Sequence, residues 1–147
     1  MKQLGWATAW LSLWIVLTVG CASKQFPQST LTGHVAKVSI GESLTPDTVT
    51  VKRGDEISWV NTTTTTVDIW FMQSLEGLVS CEHNFVSAGW GYMFGGLDRQ
   101  SLIVATIPPN GTASLCFADP GTYTYRVHFK DVPEGRTKLG GSVTIEK

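Results

Sequence analysis

A strict alternation of side chains along residues 120–129 constrains the fold more than any other feature of the sequence. Tyr123, Tyr125 and Val127 alternate with threonine, arginine and histidine, which is the period of a β-strand with one buried face. A proline and a glycine at the start of the segment mark a turn. Residues 113–117 show the same alternation, so the two segments are predicted to pair as an antiparallel hairpin.

The same two-residue period recurs elsewhere in the chain, each time next to glycine, proline or other turn residues. The further segments are residues 34–40, 48–52, 56–60, 101–107 and 142–146. Gly54 lies in a predicted turn and is free to adopt a positive φ. No segment has a convincing helical period. About seven short strands with this punctuation predict an all-β domain built as a β-sandwich.

The first 20 residues predict a signal peptide that is removed from the mature protein. The apolar run 6–20 has 15 residues, fewer than the roughly 20 that a membrane-spanning helix needs. The run ends in small residues before Cys21, which resembles the cleavage site of bacterial lipoproteins and implies a lipid on that cysteine. In that family an alanine in the next position, here Ala22, favours the outer membrane. An ordinary secretory signal is the alternative, because Thr18 occupies the position where lipoprotein cleavage sites usually carry leucine.

Three parts are therefore predicted: a signal peptide at 1–20, a lipidated cysteine with a tether at 21–33, and a domain at 34–147. The mature chain has ten basic and twelve acidic residues, a net charge of −2. This balance excludes a protein that holds nucleic acid by positive charge. The predicted location is the bacterial cell envelope, facing the periplasm, with the membrane as a partner through the lipid anchor. If the organism is Gram-negative, the outer membrane is favoured over the inner.

Four blocks of the domain resemble a bacterial cupredoxin of the plastocyanin and azurin group, in the family's order. They are Val38-x-Ile40, Pro46-x-x-Val49-Thr50-Val51-Lys52-x-Gly54-Asp55-x-Ile57-x-Trp59-Val60-Asn61, Phe117-x-x-Pro120-Gly121-Thr122-Tyr123-x-Tyr125 and Gly141-Ser142-Val143-Thr144-Ile145. The resemblance implies a Greek-key β-sandwich. Residues 68–100 have no counterpart in the family and are expected to form an inserted loop region rich in aromatic residues and glycine.

The ligand positions of the family's copper site are filled by aliphatic residues in this chain. Carried over onto this sequence, the first histidine falls near Val67, the cysteine on Val127 and the axial methionine on Leu139, and residues 129–138 contain no second histidine. Aliphatic side chains cannot donate a lone pair to copper. The resemblance therefore implies the fold without the blue copper site and without a cofactor, and the corner is expected to extend the core.

A rearranged copper site is the competing hypothesis. Cys81-Glu82-His83 places a soft and a borderline ligand two residues apart, a combination that suits copper(I) or zinc. The remaining ligands of such a site come from Met93, Cys116 or His128. On this hypothesis the protein handles copper or transfers electrons.

A disulfide between Cys81 and Cys116 is the preferred prediction for the two remaining cysteines. A compartment outside the cytoplasm favours pairing. Because Leu115 and Phe117 are expected to face the core, Cys116 faces outward, where the insertion could present Cys81.

The insertion also carries large aromatic side chains among glycines. They are Trp70, Trp90, Tyr92 and Phe94. Such loops either cover a sheet as a lid or expose an apolar patch that docks a protein or a small ligand. The chain has no nucleophile elbow, paired-carboxylate or metalloprotease spacing. The sequence thus predicts a non-enzymatic binding or interaction module.

Overall fold

The computed structural model describes residues 31–88, 102–130, 132 and 138–147, and every regular element in them is a β-strand. In chain order the strands are β1 (Val35–Ile40), β2 (Leu44–Thr45), β3 (Thr48–Lys52), β4 (Glu56–Asn61), β5 (Val67–Phe71), β6 (Val79–His83), β7 (Phe85–Ala88), β8 (Leu102–Ile107), β9 (Thr112–Phe117), β10 (Gly121–Phe129) and β11 (Lys138–Glu146). Within these ranges no helix is long and apolar enough to cross a membrane.

The strands form two mixed sheets. Sheet A has the order β2-β1-β4-β9-β6, and sheet B has the order β3-β11-β10-β5-β8-β7. Parallel pairs, β1 with β4 and β3 with β11, stand beside antiparallel ones. The inner faces of both sheets supply one buried cluster, so the architecture is the predicted all-β sandwich.

Trp59 lies at the centre of the aromatic core and joins the two sheets. It is fully buried on β4, and its ring contacts those of Phe71, Phe85 and Tyr125 edge-on, with centroids 5.9, 5.6 and 5.4 Å away. Each partner belongs to sheet B. Such pairs contribute roughly 0.5–1.5 kcal/mol beyond their buried area, so Trp59 links the layers more strongly than an aliphatic residue would.

The predicted hairpin between residues 113–117 and 120–129 is wrong. The first segment is β9, which pairs with β4 and β6 in sheet A. The second is β10, which pairs with β5 and β11 in sheet B. Alternation identifies the face that each strand buries, but a short connection can either turn back within a sheet or cross to the opposite one. Here it crosses, as Greek-key connections do.

The expectation that residues 68–100 form an inserted loop region is wrong for residues 68–88. This part of the chain contributes β5, β6 and β7, and β5 lies between β10 and β8 inside sheet B. In β5, Trp70 and both of its neighbours are buried, so the segment lacks the polar alternation that identified the other strands. Residues 89–101 lie outside the described residues.

Thr32, a residue of the expected tether, is hydrogen-bonded to the turn at Gly54. The backbone N–H of Thr32 donates to the Gly54 carbonyl at 3.2 Å, and its hydroxyl donates to the Asp55 carboxylate. Gly54 has the predicted positive φ, 88°. The signal peptide and Cys21 lie outside the described residues.

Candidate functional site

The corner expected to hold the family's metal is apolar. Val127 pairs with Leu139 on one side and Ile69 on the other. Val67, Ile69 and Val127 are completely buried, and Leu139 packs against the core partly buried. Together they line one end of the inner face of sheet B. None has a lone-pair donor in its side chain, so these four cannot coordinate a metal.

The competing copper ligands are not brought together. Cys81 and Cys116 form the predicted disulfide, with their Cα atoms 4.9 Å apart, which removes both thiolates from metal binding. His83 pairs with Ser114 in sheet A, whereas His128 lies on the outer face of sheet B. Met93 lies outside the described residues. In the part of the chain that the structure describes, no group of three or more histidine, cysteine, aspartate or glutamate residues could hold a metal ion.

The disulfide joins neighbouring strands rather than an overlying loop to a sheet. Cys81 on β6 stands directly opposite Cys116 on β9. The insertion was expected to present Cys81 from above the sheet, but it supplies an edge strand instead. The bridge therefore attaches β6 to the rest of sheet A.

The predicted aromatic patch is only partly within the described residues. Trp70 lies on the outer face of sheet B, where its ring contacts that of His128 at 5.9 Å, but it retains only 6% of its exposure. Among the described side chains of the same face, Met72 and Val86 are large, apolar and exposed, at 49% and 64%. Trp90, Tyr92 and Phe94 lie outside the described residues.

An open cavity of about 410 Å³ occupies the outer face of sheet B where β3, β11 and β10 run side by side. Its lining residues are Asp47, Thr48, Met72, Thr124, Tyr125, Arg126, Gly140, Gly141 and Ser142. The register sets Thr48 beside Ser142 and Ser142 beside Thr124, giving a row of three hydroxyl groups. In the next row Arg126 stands beside Gly140. We call this the hydroxyl cavity.

The two glycines of the cavity differ in their surroundings. A Cβ added at Gly140 would have no heavy atom within 4 Å, whereas one added at Gly141 would lie 2.4 Å from Cζ of Tyr125 and 2.9 Å from the Asp47 carbonyl oxygen. Gly141 is thus required for the close packing of the Tyr125 ring, and Gly140 leaves space on the outer face.

Tyr125 brings an unusual polar atom to this region. Its Oη and the Nε1 of Trp59 are both buried without a hydrogen-bond partner in the described ranges. Burial raises the pKa of Tyr125, and the Asp47 carboxylate adds to the rise. The phenol is therefore neutral at physiological pH and cannot serve as a base there.

A second polar cluster lies beyond the Lys52 end of β3, away from the hydroxyl cavity. The Asp55 carboxylate accepts hydrogen bonds from the Thr32 hydroxyl and from the Lys52 backbone N–H, the latter at 3.0 Å, and His34 Nδ1 lies 3.3 Å from it. The Thr32 bond is the main cause that lowers the pKa of Asp55, with smaller contributions from Lys52 and His34 against the effect of burial. Because the carboxylate stands between the hydroxyl and the imidazole, the cluster lacks the order of a catalytic triad.

Sequence reasoning did not single out the residues of the hydroxyl cavity. The signal available was Gly140-Gly141 inside a strand pattern, since glycine in a strand often marks a close approach of another group. Asp47 and Arg126 carry no such local signal. They line the same cavity because β3, which follows Asp47, and β10, which carries Arg126, both lie next to β11.

The fold is similar to that of amicyanin in solved structures. An oxidised amicyanin variant with lysine in place of a methionine matches with a TM-score of 0.50 and 19% identity, covering 76% of this chain and 82% of that one. A copper(I) variant with alanine in place of methionine gives 0.50 and 20% over the same shares. A reduced variant with phenylalanine in place of a proline gives 0.50 and 19%, covering 80% and 86%. No family model and no curated protein matches the sequence. At this identity the likeness establishes a cupredoxin-like fold.

Proposed function

We propose that this cupredoxin-like domain is a lipid-anchored binding module of the bacterial envelope that has no blue copper centre. The observation that carries the proposal is the aliphatic corner of sheet B, which contains Val67, Val127 and Leu139, the residues that the family resemblance places at or near the copper ligand positions. A buried apolar corner stabilises the sandwich but offers nothing to a metal.

The disulfide supports the same conclusion. Copper sites of this kind need a thiolate, and the two cysteines of the described residues are bonded to each other. Binding is supported by the outer face of sheet B, which combines the hydroxyl cavity with the exposed side chains of Met72 and Val86.

Copper titration of the soluble domain, residues 22–147, tests the loss of the metal centre. We expect no intense visible absorption from a thiolate-to-copper transition, and no free thiol before reduction. A protein isolated with one tightly held copper atom and such a band would refute the proposal. Two free thiols in the unreduced protein would revive the rearranged site.

The anchor is tested separately in the full chain. Wild-type protein should partition into the detergent phase, and Cys21→Ser should move it to the aqueous phase. Ala22→Asp is the matched control for sorting, since it should keep the lipid but shift the protein from the outer to the inner membrane. Equal partitioning of wild type and Cys21→Ser would exclude the lipid.

A further inference from the structure

We propose that the hydroxyl cavity binds a small zwitterionic ligand, a free α-amino acid or a short peptide, through its carboxylate and its ammonium group. The inference rests on the proposed function and names the ligand class of that binding module. Three features of the cavity carry it: two opposite charges, a row of hydroxyl groups and an open floor.

The charges stand on either side of β11. Arg126 lies on β10 next to Gly140, and the Asp47 carbonyl accepts the Ser142 N–H at 2.9 Å. Both side chains are exposed, and within the described ranges neither forms an ion pair. Adjacent strands are about 4.8 Å apart, so roughly 10 Å separates the strands that carry the two charges. A ligand with both signs would complement both ends at once.

The lining between the charges fits the rest of such a molecule. Ser142 Oγ donates to Thr48 Oγ1 at 3.4 Å and Thr124 Oγ1 donates to Gln73 Oε1 at 3.5 Å. The Thr48 hydroxyl can therefore donate to a carboxylate, and the oxygens of all three residues can accept from an ammonium group. The exposed thioether of Met72 offers an adaptable apolar contact for a side chain. The guanidinium of Arg126 can also bind the ligand's carboxylate through two parallel hydrogen bonds.

Two other ligand classes fit less well. A phosphate or another simple anion would be attracted by Arg126 but repelled by the Asp47 carboxylate. Among the described residues of the lining, a saccharide would find no exposed aromatic ring to stack on, because the Tyr125 ring is buried. The volume of about 410 Å³ falls within the range of small-molecule sites, about 300–1,000 Å³.

The floor allows the cavity to be blocked without disturbing the core. Gly140 has open space in the Cβ direction, so Gly140→Leu should fill the cavity. Thr50→Leu is the matched control, because Thr50 is exposed on β3 and does not line the cavity. A similar unfolding midpoint for the two variants would show that both are folded.

Nuclear magnetic resonance titration of the ¹⁵N-labelled soluble domain provides the test, with leucine and dileucine as probes. We expect shifts of the Gly140, Gly141 and Ser142 amide signals that saturate at millimolar ligand, are lost in Gly140→Leu and persist in Thr50→Leu. N-acetylleucine and leucinamide should each bind at least about tenfold more weakly than leucine, the loss expected for one charged hydrogen-bonding partner.

Charge variants assign the two ends and do not depend on the folding of Gly140→Leu. Arg126→Gln should weaken leucine binding about tenfold and abolish the difference between leucine and leucinamide. Asp47→Asn should also weaken leucine binding about tenfold, and it should abolish the difference between leucine and N-acetylleucine. Relative affinities of leucine and dileucine distinguish a free amino acid from a peptide.

Several results would overturn the inference. They are absent shifts, shifts that survive Gly140→Leu, or equal binding of leucine and its two neutralised derivatives. Binding of inorganic phosphate or glucose in the same cavity would refute the zwitterionic class and leave the proposed binding module intact. A blue copper spectrum would refute the proposed function irrespective of the titration.

Discussion

Two adjacent glycines with opposite surroundings provide the sharpest test of the packing in sheet B. The substitution Gly141→Ala introduces a methyl group 2.4 Å from Cζ and 2.5 Å from Oη of Tyr125. Ordinary contacts are about 3.5–4.0 Å, so the ring must move by more than about 1 Å. Gly140→Ala introduces the same methyl group with no heavy atom within 4 Å.

The movement is costly because Tyr125 is held on several sides. It is 1% exposed, and its ring lies 5.4 Å from that of Trp59 and 5.6 Å from that of Phe71. Overpacking a core of this kind costs about 1–3 kcal/mol, and replacing glycine returns about 0.4–1 kcal/mol through the unfolded state. We expect Gly141→Ala to lower the free energy of unfolding by about 1–2 kcal/mol and Gly140→Ala to leave it unchanged or raise it by up to about 1 kcal/mol.

Urea unfolding of the soluble domain, followed by near-ultraviolet circular dichroism, measures both values. Tyr125→Leu supplies the control, since removal of the phenol relieves the two shortest contacts and should lower the cost of Gly141→Ala in that background. The 2.9 Å contact with the Asp47 carbonyl oxygen remains, so part of the cost should persist. Equal stability of Gly140→Ala and Gly141→Ala would refute the reasoning, and so would an unchanged cost of Gly141→Ala in the Tyr125→Leu background.

Three further predictions concern the disulfide and two buried polar residues. Replacing Cys81 and Cys116 together by alanine should lower the free energy of unfolding in urea by about 4 kcal/mol, the chain-entropy value for a separation of 35 residues. A decrease of less than about 1 kcal/mol would argue against the bridge. Asp55 has a lowered pKa, so its stabilising effect is present above its ordinary pKa, near 4, and is lost as the pH falls through the lower folded value. Asp55→Asn should therefore be less stable than wild type at pH 7 and approach it in acid, and a pH-independent difference between their melting temperatures would contradict this assignment. Asn61 is fully buried and donates to two backbone carbonyls at 2.8 and 3.0 Å. Asn61→Ala should therefore lower the free energy of unfolding by about 3 kcal/mol. A change within about 0.5 kcal/mol in thermal or urea unfolding would show that these bonds are dispensable.

The aliphatic corner has a consequence for folding. The corner of sheet B is closed by Val67, Ile69 and Val127, all without exposure. Apolar burial of this kind contributes about 25 cal/mol per Å² removed from water. The domain should therefore reach its native structure without any metal.

The sequence by itself determined the core-facing side of the strands that the alternation identified. Val127 is buried and His128 is turned to the other face, as the alternation predicted. The turn at Gly54 and the pairing of Cys81 with Cys116 were also foreseeable. The first follows from the freedom of glycine at positive φ, and the second because only two cysteines remain once Cys21 is set aside as the predicted lipidation site. All of these depend on local geometry or on composition.

Only the tertiary structure decided which strands are neighbours. The sequence placed β9 beside β10, yet the two lie in different sheets, and β5 was missed because both of its faces are buried. The hydroxyl cavity depends on Thr48 meeting Ser142 across 94 positions of sequence, with Oγ atoms 3.4 Å apart. The side-chain period of a strand follows from its own φ and ψ, but strand pairing is chosen by contacts that are distant along the chain, and no local pattern contains them.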